Sequence, residues 1–288
     1  MSTPHCVDVH TTVLHALGDR CSAAKIAAGQ TDDIADPALR DVVDWARASR
    51  QPEASILRRR PFPDDHASEL IGIAVAYHYI NRMVNVFVDP SPFPLPAMPK
   101  PIARRMASPF FRRLAARRVE PGESLALLPA APLPDDLSWA RSDPIIADAF
   151  ARAAAVFDRL GGQAIPVETR RLVADRLNEW QGDEPGLSRR WVDDLIDELP
   201  TAQRPLGRFA LLTALASYQI DAQILDAARP SPGPVGDEAL VATAAWASFA
   251  AARRVGSWLH TAPASTDRGE MNPEGQRVRD GLVEEAKR

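Results

Sequence analysis

An all-α fold is what this sequence of 288 residues predicts, and three observations predict it. Stretches such as Ala147–Ala155 and Ala242–Arg254 are helix formers throughout, with few β-branched residues in series. No stretch alternates apolar and polar residues as a half-buried strand would. The 26 prolines fall mostly between helical segments, where they cut the chain into short helices.

The elements follow in order. Asp8–Ala28 reads as a helix with Val9, Val13, Leu14 and Leu17 on one side and a break at Gly18. Asp36–Arg47 is a second, with Asp36 as N-cap and Pro37 in the first helical position. Gln51–Pro63 is a basic, proline-bearing loop, and His66–Val88 a long helix stopped by Asp89-Pro90-Ser91-Pro92. Its first half, Leu70–Ala76, is apolar on all sides and is expected to be buried. Helices return over 143–160, 166–180, 188–199, 204–228 and 237–259.

Between them, residues 91–135 read as a proline-rich connector. From Lys100 to Arg118, Lys100, Arg104, Arg105, Arg112, Arg113, Arg117 and Arg118 accumulate without one acid, and Met106, Phe110, Phe111 and Leu114 recur at roughly helical spacing. The reading adopted is a connector strapped across the core by its aromatics, in preference to a membrane or acidic-partner surface. The organisation expected is a lobe over 1–90, this connector, a second lobe over 136–260 and a flexible tail over 261–288.

Bulk properties exclude several function classes. The formal net charge is −4, which gives no global attraction to nucleic acid or anionic membrane. The longest apolar run, Leu70–Tyr77, is too short to span a bilayer, and no signal peptide is visible. Cys6 and Cys21 are the only cysteines, so a disulfide scaffold is excluded and a cytoplasmic location is expected. No cofactor motif for nucleotides, flavin or haem is evident, and no third ligand joins Cys6 and His10 in a metal site.

Two copies of one helical unit are suggested by internal likeness. TPHCVDVH (3–10) lies over ASYQIDAQ (216–223), so that Cys6 matches Gln219, Asp8 matches Asp221 and His10 matches Gln223. Downstream, Asp36-Pro37-Ala38-Leu39 with Trp45-Ala46 lies over Asp237-Glu238-Ala239-Leu240 with Trp246-Ala247. The second copy is preceded by helices that the first lacks.

Two groups of residues carry chemistry. If a helix starts at TPHCVDVH, Thr3 is its N-cap and Pro4 its first residue. Cys6 then falls in the first turn, where free N–H groups and the helix dipole favour a thiolate, with His10 one turn on as proton carrier. Cys21, about 22 Å away on a straight helix at 1.5 Å per residue, is out of disulfide reach unless the helix breaks near Gly18. The second group is the polar stripe His78, Asn81, Arg82 and Asn85 on the 66–88 helix, with Glu69 at its start. Such a stripe, if buried, lines a pocket or locks helices together; the alternative is an outward face on the helix's second half.

CVDVH followed by a helix, then D-P-A-L…W-A, then Y-I-N-R-M-V-N resembles the AhpD-like superfamily of alkylhydroperoxidase D proteins and carboxymuconolactone decarboxylases. The likeness spans 1–90 and, in degenerate form, 136–260. It implies an AhpD-like helical fold in two pseudo-repeated lobes, the first without its leading helices, and homo-oligomeric assembly. It also implies a hydroperoxide substrate and reduction by an external thiol or lipoyl-type dithiol. In peroxidase members the motif is C-x-x-C, then histidine after three intervening residues, with a glutamate further upstream. Carried onto this chain, the attacking second cysteine is Cys6 and the histidine His10; the first cysteine falls on Thr3, and the glutamate has no counterpart. Oxidised Cys6 would therefore wait as a sulfenic acid for an outside thiol. Two other readings stay open: a non-catalytic helical binding or scaffold protein, and a cysteine-independent decarboxylase at the His78 stripe.

Overall fold

The computed structural model describes residues 25–26, 28–88, 120–231 and 233–261. Cys6, His10, Cys21 and the basic run Lys100–Arg118 lie outside the described residues. Among the described residues all regular structure is helical, as the sequence predicts.

Helix α1, Pro37–Ala48, begins as expected: Asp36 Oδ1 accepts from Ala38 N at 2.9 Å and Pro37 fills the first turn. Its Trp45 is buried edge-on against Phe62, with ring centroids 4.8 Å apart. The expected loop after it contains one short helix, α2, Ser55–Arg58, which places Leu57 in the core. Helix α3 runs Ala67–Phe87.

In the C-terminal half, α4 spans Pro144–Ala164, capped by Asp143, whose carboxylate accepts from Ile145 N and Ile146 N. It continues past residue 160 through Gly161. Trp246 packs against that glycine, where a Cβ would come within 2.4 Å of the indole. Helices α5 (Val167–Glu179) and α6 (Arg190–Ile196) follow.

The expected helix 204–228 is divided. Helix α7 (Arg204–Ala216) ends in a 3-10 turn, Ser217–Gln219, before α8 (Ala222–Ala228). The reason is Asp221, whose side chain accepts from Ile224 N at 3.0 Å and starts a new helix. Helix α9, Pro234–Thr261, is the longest. Of the internally similar stretches, Asp36…Trp45 forms α1 alone, whereas Asp237…Trp246 is the opening of α9.

Helix α3 packs most extensively on α9, and Ile71 and Val75 are fully buried in the core they share. Each such side chain contributes about 1.5–3 kcal/mol of burial free energy. Helix α4 runs alongside α3 in the same direction: Ile146 and Phe150 lie beside Gly72, and Phe157 beside Tyr79 at 5.2 Å. Trp139, on the 3-10 stretch Asp135–Ser142, wedges between α3 and α4, and its carbonyl accepts from Ser68 Oγ. Residues Phe209–Ala216 of α7 are buried throughout. Trp45, Leu57, Ile71 and Val75 thus belong to one buried cluster with Phe209 and Leu259.

One expectation is corrected. Leu70–Ala76 is not buried on all sides, because Ile73 is 58% exposed: the described partners of α3 leave that side open. No described helix is long and apolar enough to cross a membrane.

Candidate functional site

The polar stripe of α3 faces inward. At steps of three and four residues, His78, Asn81, Arg82 and Asn85 share one side of the helix, and the first three are buried. His78 Nε2 is 2.9 Å from Ser49 Oγ, at the end of α1. Burial, then the charges of Arg82 and Arg50, hold the imidazole well below its ordinary pKa, so it is neutral at pH 7.

Arg82 is the centre of the array. Its Nε donates to Ala214 O at 2.9 Å and its Nη1 to His78 O at 2.8 Å. The guanidinium lies 5.9 Å from the Trp180 ring centroid. Among the described residues no carboxylate pairs with it, although its side chain is buried. Burial, with Arg50 nearby, lowers its pKa to about 9. Trp180 in turn packs on Trp258 at 5.0 Å, and Arg254 lies 5.5 Å from Trp258, which gives an Arg–Trp–Trp–Arg stack between α3 and α9.

Asn81 Nδ2 donates to Tyr77 O at 2.8 Å, while its buried Oδ1 has no partner among the described residues. Asn85 Nδ2 donates to Ser217 Oγ at 2.8 Å. Glu69 stands apart, exposed in the first turn of α3, where a carboxylate complements the helix N-terminus. The structure therefore joins His78 and Arg82 directly, places Asn81 and Asn85 on the same side, and does not bring Glu69 to them.

Several participants carry no sequence signal. Ser49, Arg50, Trp180, Ala214 O and Ser217 come from different elements and meet the stripe only through folding. Arg50 is held by the loop after α5: its Nη1 is 2.8 Å from Glu184 Oε1. Gly182, at φ +85°, passes so close that a Cβ there would sit 1.7 Å from Arg50 O. Only glycine fits, for both reasons.

Chemically, the array is a neutral imidazole beside a cation that no described carboxylate neutralises, with most donors spent on backbone carbonyls. It ties α3 to α1, α7 and the turn after α7, which is the helix-locking role expected of a buried polar stripe. Among the described residues no cluster of His, Cys, Asp and Glu is placed to hold a metal ion.

Comparison with known proteins adds the lineage. The chain is 36% identical, over 272 residues, to alkyl hydroperoxide reductase Rv2159c of Mycobacterium tuberculosis, a match covering 94% of this chain and 76% of that protein. The chain belongs to the AhpD-like alkyl hydroperoxide reductase family. No protein-family model matches it, and no solved structure matches it. In this AhpD-like chain the described stripe links α3 to α1 and α7, and the half-motif Cys6/His10 lies outside the described residues.

Proposed function

We propose that this AhpD-like chain is a thiol-dependent hydroperoxidase, with Cys6 as nucleophile and His10 as proton carrier. The observation that carries the proposal is the 36% identity, across most of both chains, to a protein named alkyl hydroperoxide reductase. The Cys6/His10 spacing supports it, because an imidazole one helical turn from a thiolate can protonate a leaving group.

The cycle balances with an external thiol. Cys6 thiolate attacks one peroxide oxygen; the S–O bond forms, the O–O bond breaks, and the leaving alkoxide takes a proton from His10 to depart as an alcohol. Cys6 is now a sulfenic acid, two electrons oxidised. Thr3 stands where the family's resolving cysteine would be, so an outside thiol condenses with the sulfenic acid and releases water. A second thiol, or the second sulfur of a lipoyl-type dithiol, attacks the mixed disulfide and returns Cys6 as thiolate. The proton it releases restores His10.

The stripe of Glu69, His78, Asn81, Arg82 and Asn85 does not serve as a second reaction centre on this reading. His78 Nε2 is occupied by Ser49, and Arg82 Nε and Nη1 by carbonyls. A non-catalytic binding role is the rival reading, favoured by one observation: among the described residues Asn81 Oδ1 has no partner and the next residue, Arg82, no carboxylate.

The deciding experiment is the pH dependence of Cys6 alkylation in a Cys21→Ser background, followed by alkyl hydroperoxide challenge with mass detection of the sulfenic acid. A thiol titrating well below the ordinary value of about 8.5, and oxidised stoichiometrically, is expected. Ordinary titration, with peroxide consumption equal in the Cys6→Ser variant, would sink the proposal and leave the binding reading.

A further inference from the structure

Positive charge collects inside the molecule where α3 meets the end of α1 and the loop after α5. Arg82, 7% exposed, spends Nε on Ala214 O and Nη1 on His78 O. Its remaining nitrogen, Nη2, has no partner among the described residues. Arg50, just past α1, stands close enough for its charge to act on both Arg82 and His78. The carboxylate in this group is Glu184, and it pairs with Arg50 Nη1 rather than with Arg82. Among the described residues, every charge that acts on His78 or Arg82 is positive.

Dipoles offset part of this excess. Ala214 O lies at the C-terminal end of α7, which presents about half a negative charge, and the Trp180 face adds to it. An arginine this deeply buried ordinarily has a full counter-charge. With Glu184 assigned to Arg50, the deficit here is that of one monovalent anion at most.

Asn81 marks where the anion would sit. Its Nδ2 reaches back to Tyr77 O, as Arg82 Nη1 does to His78 O. Those are adjacent carbonyls of α3, so the amide and the guanidinium lie side by side. Asn81 is also 7% exposed, and its Oδ1 has no partner among the described residues. An unused N–H donor and an unused acceptor thus neighbour each other in a cationic setting. The guanidinium suits one carboxylate oxygen, and Oδ1 suits a water that accompanies it.

We propose that Arg82, with Asn81 beside it and Arg50 nearby, seats a small monocarboxylate. The ligand completes the counter-charge of Arg82 and makes the stability of the α1–α3–α7 junction depend on carboxylate concentration. This goes beyond the peroxidase reading and does not require Cys6 to react.

Titration of the full chain with sodium acetate, at an ionic strength held constant with sodium chloride, tests this by calorimetry and by Tm. Saturable binding with a Kd of about 1 mM is expected, and above it Tm rises with the logarithm of acetate concentration. No saturation by about 100 mM acetate, or no rise in Tm over chloride, overturns the proposal. Asn81→Asp builds a carboxylate next to Arg82 and is expected to abolish acetate binding. Acetate affinity that survives this change overturns the proposal. Glu184→Gln, at the partly exposed partner of Arg50, leaves one more cation uncompensated and is expected to tighten acetate about threefold. If Asn81→Asp does not fold, an unchanged Kd in Glu184→Gln overturns the proposal in its place. Cys6→Ser is expected to bind acetate as the unaltered chain does. Loss of binding there assigns acetate to the thiol and overturns the proposal, while the peroxidase reading stands. Acetate binding intact beside an unreactive Cys6 sinks that reading alone.

Discussion

Arg82 and Arg253 stand on α3 and α9, the two helices that pack most extensively, and they solve opposite problems. Arg253 lies at the rim and meets two carboxylates: Asp136 in a bidentate pair with both contacts at 2.6 Å, and Asp158 at 3.3 Å. Although burial works against it, those partners raise its pKa. Arg82 is buried among helices, meets carbonyls and an indole, and its pKa falls to about 9. A guanidinium can thus be held by carbonyls and an aromatic face, one of the carbonyls standing at a helix end. Ala214 O is one of the last carbonyls of α7, which have no intrahelical partner, so Arg82 works as a C-cap for a neighbouring helix. The rim arginine joins surfaces; the buried one completes a helix.

That contrast predicts unequal costs. Arg82→Ala is expected to destabilise the fold by about 3–5 kcal/mol in urea unfolding, because it opens a cavity and strands Ala214 O. Arg253→Ala is expected to cost about 1 kcal/mol, the scale of an exposed pair network. Equal losses would break the comparison.

The pH response comes next in size. His78 is held well below its ordinary value near 6.5, so below that pH the unfolded chain binds a proton that the folded one refuses. Stability is then fully present above about pH 6.5 and is lost as pH falls, with a slope from this residue of up to ~1.4 kcal/mol per pH unit. His78→Gln should flatten the acid limb of a stability profile; an unchanged limb would show that His78 is not its source.

Two smaller effects sharpen the picture. Ser49→Ala leaves His78 Nε2 without its partner and is expected to cost about 1 kcal/mol by thermal or urea unfolding. Salt should separate the arginines further. Raising ionic strength to about 1 M shortens the screening length to ~3 Å, so the penalty of Arg253→Ala shrinks while that of Arg82→Ala stays. A penalty for Arg253→Ala that ignores salt would mean its methylene packing, not its charge, holds the rim.

Much of the helix layout was legible because helix starts are local events. Asp36-Pro37 and Asp143-Pro144 each place a capping carboxylate one residue ahead of a preset φ, and both helices begin where that chemistry puts them. The split of 204–228 was legible in principle too, since Asp221 is a capping residue, but the apolar run on either side masked it. The four residues of the α3 stripe could be read from their spacing, and their inward direction could not. A row of polar residues and the apolar row Ile73, Ile80 and Phe87 sit on opposite sides of the same helix, and here the polar row is the buried one.

Sequence alone therefore determined that this chain is helical, where most of its helices start, and which family it resembles, because caps, propensities and motif spacings act within a few residues. Tertiary structure decided which face of α3 is inside. That choice rests on partners far along the chain, Ser49, Trp180, Ala214 and Ser217, which supply the dipoles and the aromatic surface that make burying His78 and Arg82 tolerable.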